Sequence, residues 1–371
     1  MRKPIFRGTK RWGIILSGIL LSTLLLAACD NLTPNTLDPK GPTALSESNL
    51  FWFILIVATI VFVAVEGVLL YSIIRYRERP NSPAPAQIHG NNTVEIIWTV
   101  APSLFLFAVL IGTIYTMFQI QRPKTPDVEI QAIGHQWWWE FRYLHENITT
   151  ADEIHVPMGG IVQVDLVSNN VIHSFWVPQL SGKLDDIPGH DNRLWFKADQ
   201  TGKYLGECAE FCGIQHAHMN FYVIVDQPNS YSTWVTTQQQ NAASPSGSLA
   251  TAGLNLFKGS GGCAGCHGIV GVNLTGFNDP KGNALIGPNL THFGSRRTIA
   301  GDILEWDPTS CAIVGDHLAN KANCSLYKWL QNPQAVKEGN DMAIRSLSDT
   351  EITQLIAVSY THLRAHETGR N

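Results

Sequence analysis

Two apolar runs, Leu50–Ile74 and Ile96–Phe118, constrain this chain more than any other feature. Each is long enough to cross the roughly 30 Å hydrocarbon core of a bilayer as a helix. In lipid a backbone must satisfy its own hydrogen bonds, so a helix is the only form such a run can take there. The segment between them opens Arg75-Tyr76-Arg77-Glu78-Arg79. Arginine in a short loop marks the cytoplasmic side. Residues 49–118 therefore read as a two-helix transmembrane hairpin, with everything after Gln119 outside the cytoplasm. Charged residues make up only 15% of the 371, as so apolar a chain requires, and the formal net charge of -4 gives no reason to expect a nucleic-acid partner.

The N-terminus agrees with export. Arg2, Lys3, Arg7, Lys10 and Arg11 precede the apolar run Trp12–Ala28, which is the layout of a secretion signal. The run ends Leu26-Ala27-Ala28-Cys29, which is similar to a bacterial lipobox. Residues 1–28 read as a lipoprotein-type signal peptide with Cys29 as the lipidation site; an ordinary signal cut nearby is the alternative. Residues 29–48, polar and Pro-containing, read as a periplasmic linker. Within the first span Glu66 is a costly carboxylate, expected to face a partner helix.

Beyond the hairpin the pattern changes to alternation of period two. Val128–Ile133, Ile161–Val167 and Asn220–Val225 alternate, with Pro157, Gly159-Gly160, Pro188-Gly189 and Gly202 as punctuation. Short strands at such spacing predict an all-β sandwich or barrel over residues 119–228. Three consecutive tryptophans, Trp137, Trp138 and Trp139, point to opposite faces if they lie on a strand, so at least one is expected to be exposed.

One short stretch of that region carries chemistry: Cys208-Ala-Glu-Phe-Cys212-Gly-Ile-Gln-His216-Ala-His-Met219. Two thiols, imidazole and a thioether are soft ligands that suit copper. His173 lies upstream in Val171-Ile-His-Ser-Phe-Trp-Val-Pro178. One early His with a late Cys/His/Met cluster is how cupredoxin barrels hold copper. One Cys suffices for a mononuclear site, so the second asks for a second metal. Structural zinc or a Cys208–Cys212 disulfide are the competing readings; zinc rarely takes a thioether, and a disulfide needs no imidazole.

Residues 229–249, rich in Gln, Asn, Ser and Thr with a Ser-Pro-Ser-Gly-Ser run, read as a flexible linker. Cys263-Ala-Gly-Cys266-His267 follows, the c-type haem attachment signature, with a zinc knuckle or redox Cys pair as the weaker readings. The pattern predicts a helix around Leu254–Phe257 and another around Leu326–Leu330. Met342 is the only methionine after the haem motif and so the expected sixth ligand beside His267. Ser348-Asp-Thr-Glu351 reads as a capping box opening the final helix. Cys311 and Cys324, outside the cytoplasm, read as a disulfide. Residues 250–358 are expected to form an all-α haem domain, and 359–371 a polar tail.

Over residues 40–230 the chain resembles subunit II of the haem–copper cytochrome oxidases and its dinuclear copper A centre. The second half resembles the class I cytochrome c domain fused to subunit II in caa3-type oxidases. The resemblance implies a multidomain architecture: helical hairpin, cupredoxin barrel and class I cytochrome c domain. It implies that two copper ions are held by His173, Cys208, the Glu210 backbone carbonyl, Cys212, His216 and Met219, with His218 not a ligand. It further implies that the Glu210 carboxylate reaches a magnesium ion at the border with subunit I. Trp137 would be the electron-input tryptophan meeting the donor, with Asp152 and Glu153 among the acids that attract a basic cytochrome c. Lys183–Gly189 would contact subunit I, although His190 stands where the family usually has Arg. Glu95 would sit at the mouth of a proton-uptake channel, or else is a helix-start acid favoured by the dipole. Subunits I and III, and cytochrome c or a bc1-type complex as donor, are the implied partners in a bacterial plasma membrane. The implied activity is electron input for proton-pumping oxygen reduction carried out in subunit I. The electron-input subunit of a copper-A nitric oxide reductase, and a membrane-tethered carrier with no catalytic partner, are the rival functions.

Overall fold

The computed structural model describes residues 35–77, 89–121, 125–284 and 286–361. The signal peptide, Cys29, the loop beyond Arg77 and the last ten residues of the tail lie outside the described residues.

Helix α1 spans Pro42–Arg75 and α2 spans Asn92–Ile120. Both are long and apolar enough to cross a membrane. The α2 start is fixed by Asn91, whose side chain accepts from the backbone N–H groups of Thr93 and Val94; Glu95 sits in the first turn. Glu66 is half-buried. The expected linker to Ser48 is corrected: α1 begins at Pro42, where a proline fits the first helical turn at no hydrogen-bond cost. Its opening turns are helical because they are buried. Thr43, Ala44 and Ser48 are covered, and the neighbouring Lys40 backbone bonds Gln179 and Asp199. The far end of the hairpin is tied as well, since the Trp195 indole donates to the Ile120 carbonyl at 2.6 Å.

Ten strands follow: β1 Val128–His135, β2 Trp138–Tyr143, β3 Ile148–Ala151, β4 Glu153–Pro157, β5 Ile161–Ser168, β6 His173–Trp176, β7 Leu184–Asp186, β8 Asn192–Lys197, β9 Gly202–Cys208 and β10 Asn220–Asp226. They form two five-stranded sheets, β3-β2-β1-β5-β8 and β4-β10-β9-β6-β7. Strand β5 alternates strictly between half-buried and buried residues, as its sequence predicts. Strand β10 does not: Phe221–Val225 are all buried, because another domain covers its outer face. The shared core is aromatic. Trp139, Phe141, Phe175 and Phe221 are fully buried, with Phe175 and Phe221 ring centroids 4.7 Å apart.

The expected flexible linker over 229–249 is also corrected. Helix α3 occupies Pro228–Gln238 because Tyr231 and Trp234 bury against the β-domain. Trp234 stacks on His155 at 4.5 Å, and His155 is held by Asp226 at 2.6 Å. The following residues bond both ways. Gln239 reaches the Glu146 carbonyl, and the Gln238 and Gln240 carbonyls accept from His292.

The C-terminal domain contains α4 Ser248–Lys258, α5 Ser325–Gln331, α6 Pro333–Val336 and α7 Asp349–Thr361. Helix α7 runs past the expected boundary at Val358. The capping box at its start forms: Ser348 N–H donates to the Glu351 carboxylate at 2.8 Å and Glu351 N–H to the Ser348 hydroxyl at 3.3 Å. Helices α4 and α7 pack tightly at Gly253, where a Cβ would stand 2.0 Å from the Gln354 carbonyl oxygen. The domain is not purely helical. Two short hairpins, Thr298–Ile299 with Leu304–Glu305 and Ile313–Val314 with His317–Leu318, fill the stretch before α5. A disulfide joins Cys311 to Cys324 beside them, both fully buried.

Candidate metal centre

The end of β9 and the loop into β10 carry the cysteine cluster, and β6 brings His173 beside it. Gly134 on β1 makes room for that imidazole: a Cβ there would lie 2.6 Å from the His173 ring. The Cys208 and Cys212 sulfurs are 3.8 Å apart, both thiols free and buried. That separation excludes the expected alternative of a disulfide between them, which requires about 2.05 Å.

Around the sulfur pair the other donors divide into two sets. His173 Nδ1 is 3.8 Å from Cys208 Sγ, and the Glu210 carbonyl oxygen is 3.3 Å from the same sulfur. His216 Nδ1 is 3.7 Å and Met219 Sδ 3.8 Å from Cys212 Sγ. Each cysteine thus has its own imidazole and its own weak donor nearby. Structural zinc rarely takes a thioether, whereas two thiols, two imidazoles and a thioether are a soft donor set that fits copper. A hydrogen bond from the Cys212 thiol, with help from His173, holds the Cys208 thiol well below the ordinary thiol range. The same contact pushes Cys212 well above the ordinary thiol range.

Further residues hold the donors in place. His173 Nε2 meets Asn170 Oδ1 at 3.0 Å. The Trp139 indole donates to the Met219 carbonyl at 3.3 Å, and its ring packs on His173 at 6.0 Å. Gln136 and Trp137 both donate to the Cys212 carbonyl, at 2.8 and 3.0 Å. Sequence reasoning missed Asn170, Gln136 and the role of Trp139. The Trp run was visible, but which ring turns inward depends on strand register.

Several expected roles meet a different environment. None of the three tryptophans is fully exposed: Trp139 is core, Trp138 stacks on His135 at 4.3 Å, and Trp137 is half-buried. Asp152 and Glu153 do not form an open acidic surface. Asp152 accepts from Trp139 N–H at 2.8 Å, and Glu153, 4% exposed, accepts from Arg297 N–H of the C-terminal domain. Burial raises both carboxyls, Asp152 to about 6. His218 and the Glu210 side chain are exposed, as is His190; Asp185 and Asp186 lie on β7, paired with β6. Asp186 is buried, with neither oxygen hydrogen-bonded.

In the C-terminal domain, Cys263 and Cys266 are free and half-buried. His267 Nδ1 donates to the Pro288 carbonyl at 2.9 Å, which fixes its tautomer and leaves Nε2 as the free lone pair. Burial lowers its proton affinity, keeping the imidazole neutral. Met342 is half-buried in a segment without regular secondary structure.

Comparison with known proteins agrees with this geometry. Residues 35–115 match the profile of the cytochrome c oxidase subunit II transmembrane domain, and residues 145–226 that of its periplasmic domain. Cytochrome c oxidase subunit 2 of Alkalihalophilus pseudofirmus is 35% identical over 90% of this chain and 93% of its own length. The chain belongs to the cytochrome c oxidase subunit II family. It is therefore the electron-input subunit of a haem–copper oxidase, a membrane protein with an outward-facing β-domain. The subunit 2 protein of Bacillus sp. strain PS3 is 33% identical over 91% of this chain. A quinol oxidase subunit 2 from Bacillus cereus is 33% identical over only 59% of it.

Proposed function

We propose that this chain is subunit II of a caa3-type cytochrome c oxidase, receiving electrons on its own haem c and passing them through a dinuclear copper A centre to haem A of subunit I. One observation carries the copper assignment: two buried thiols 3.8 Å apart, each with a separate imidazole within 3.8 Å. His173, Cys208, Cys212, His216, Met219 and the Glu210 carbonyl would hold the metal pair, which when bound supplies a one-electron carrier whose charge is shared over both ions. The protein's part is rigidity. Buried strands, Trp139 and Asn170 keep the donors from relaxing when charge changes.

Cys263 and Cys266 would bind the haem covalently, with His267 and Met342 as axial ligands. The Pro288 bond that orients His267 supports that role. Met/His ligation favours electron transfer over oxygen chemistry, so oxygen reduction and proton pumping would belong to subunit I. We read the Glu210 carboxylate as reaching a magnesium ion at that border, and Glu95 as lying at the mouth of a proton channel. Subunit III and an external cytochrome c or bc1-type complex complete the assembly. The chain would reside in a bacterial plasma membrane, its redox domains outside.

The test is the cofactor inventory of the complex that co-purifies with the chain in mild detergent, by pyridine haemochrome spectra and metal analysis. Haem A with haem c, and two copper ions per chain beyond those of subunit I, are expected. Haem b with haem c and no haem A would replace this reading with a nitric oxide reductase or haem-b oxidase. Haem c alone in an intact complex would reduce it to a tethered carrier.

A further inference from the structure

Lys337, the residue that follows α6, is 4% exposed, although it carries an ammonium. Its Nζ donates to three backbone carbonyls: Trp137 at 2.7 Å, His218 at 2.8 Å and Ala300 at 3.1 Å. An ammonium has three N–H donors, and all three are used. Two of those carbonyls belong to the copper domain. Trp137 is the residue whose indole bonds the Cys212 carbonyl, and His218 lies in the loop between His216 and Met219. The third belongs to the C-terminal domain itself. Burying such a charge is costly unless it is fully hydrogen-bonded, and here two of its three acceptors exist only while the domains are joined.

The surrounding seam is polar and matched. Gln215 donates to the Glu338 carbonyl at 2.5 Å, the Tyr222 hydroxyl to Asp302 at 2.6 Å, and Arg297 N–H to Glu153 at 2.9 Å. Arg296, buried beside Asp152 and Glu153, adds attraction across the same seam. The acids that would attract an outside donor, and the backbone carbonyl of Trp137, thus face the chain's own C-terminal domain.

We propose that Lys337 is a positioning residue that locks the C-terminal domain onto the loop carrying Cys212, His216 and Met219, so that electrons reach the copper site through this domain in one fixed orientation and not by contact of an external carrier with Trp137. The proposal rests on the copper and haem reading above for its electrons, but the lock itself does not. Without the lock, the tether alone still keeps the domain at high local concentration, so its loss slows transfer without abolishing it.

The test uses the full chain in its oxidase complex. Haem and copper contents are read first; a missing cofactor counts against the functional reading and leaves the lock to be judged separately. Brief acylation with an amine-reactive reagent, read by mass spectrometry, then compares Lys337 with exposed Lys258. We expect Lys337 to react about ten-fold more slowly or less, since it is reached only by opening the seam; equal reaction overturns the lock. Lys337→Met is expected to slow haem-to-copper transfer about ten-fold, the loss of a charged hydrogen-bond set. The variant's rate should fall with solvent viscosity while the haem potential stays unchanged. An unchanged, viscosity-independent rate overturns the positioning role. If the variant does not accumulate, the acylation of the unmodified chain decides.

Discussion

His173 turns its two ring nitrogens to different partners: Nδ1 faces Cys208 Sγ at 3.8 Å and Nε2 faces Asn170 Oδ1 at 3.0 Å. The amide oxygen can only accept, so Nε2 carries the proton and Nδ1 presents its lone pair to the sulfur pair. Such an outer partner fixes ring orientation and typically adds 10- to 100-fold in metal affinity. Asn170→Ala is expected to lower copper retention by about that factor against a chelator, with the fold intact by circular dichroism. Unchanged retention would show that the ring is held by Gly134 and Trp139 packing alone.

The disulfide gives a prediction confined to one domain. Cys311 and Cys324 close a loop of sequence separation 13 within the cluster of Ile299, Trp306, Leu326 and Ile352. Closing a loop of this length stabilises a fold by about 3 kcal/mol through the unfolded chain. The double variant Cys311→Ala/Cys324→Ala should lower the unfolding midpoint of the C-terminal domain and leave the copper absorption transition in place. A loss of both together would mean that the domains unfold as one unit.

Asp186 supplies a pH dependence. Burial above all, then the neighbouring Cys208 sulfur, raises its carboxyl from the usual 3.8 to about 9. Between those values the native state keeps a proton that the unfolded chain has lost, so stability falls as pH rises through the window and levels off above about pH 9. Asp186→Asn should remove this slope. Thermal midpoints of the metal-free chain measured between about pH 5 and 8 should converge toward wild type at the acid end and exceed it at the alkaline end. A pH-independent difference would contradict the buried-carboxyl account.

Gly253→Val should separate α4 from α7. The new side chain meets the Gln354 carbonyl, and overpacking of this kind costs about 1–3 kcal/mol. Haem incorporation should fall while copper incorporation is unaffected; parallel loss of both would show that the domains depend on each other to fold.

Much of this was readable beforehand because it depends on residue type and period. The apolar runs, the β5 alternation and the capping box each encode their geometry locally. The clustering of donor side chains on the Cys208–Met219 loop was legible for the same reason, since a short loop leaves them few places to go. What could not be read was contact across the domain seam. Lys337, Arg297 and Asp302 look like ordinary surface residues, and Asp152 and Glu153 like exposed acids, until another domain covers them. The linker failed for a related reason: Tyr231 and Trp234 are two anchors in an otherwise polar stretch, enough to order a helix that composition alone describes as loose.

Helix α1 has 34 residues and so is about 50 Å long, well beyond the roughly 30 Å of hydrocarbon it must cross. The excess is buried under the β-domain at Thr43, Ala44 and Ser48, and α2 ends in the bond from Trp195 to Ile120. Among the described residues, the barrel-side ends of both helices are tied to the β-domain. Any tilt that a thicker or thinner bilayer imposes on the hairpin is therefore handed on to the barrel as a rigid rotation. Lipid composition becomes one of the variables that aim the Cys208–Met219 loop at its membrane partner.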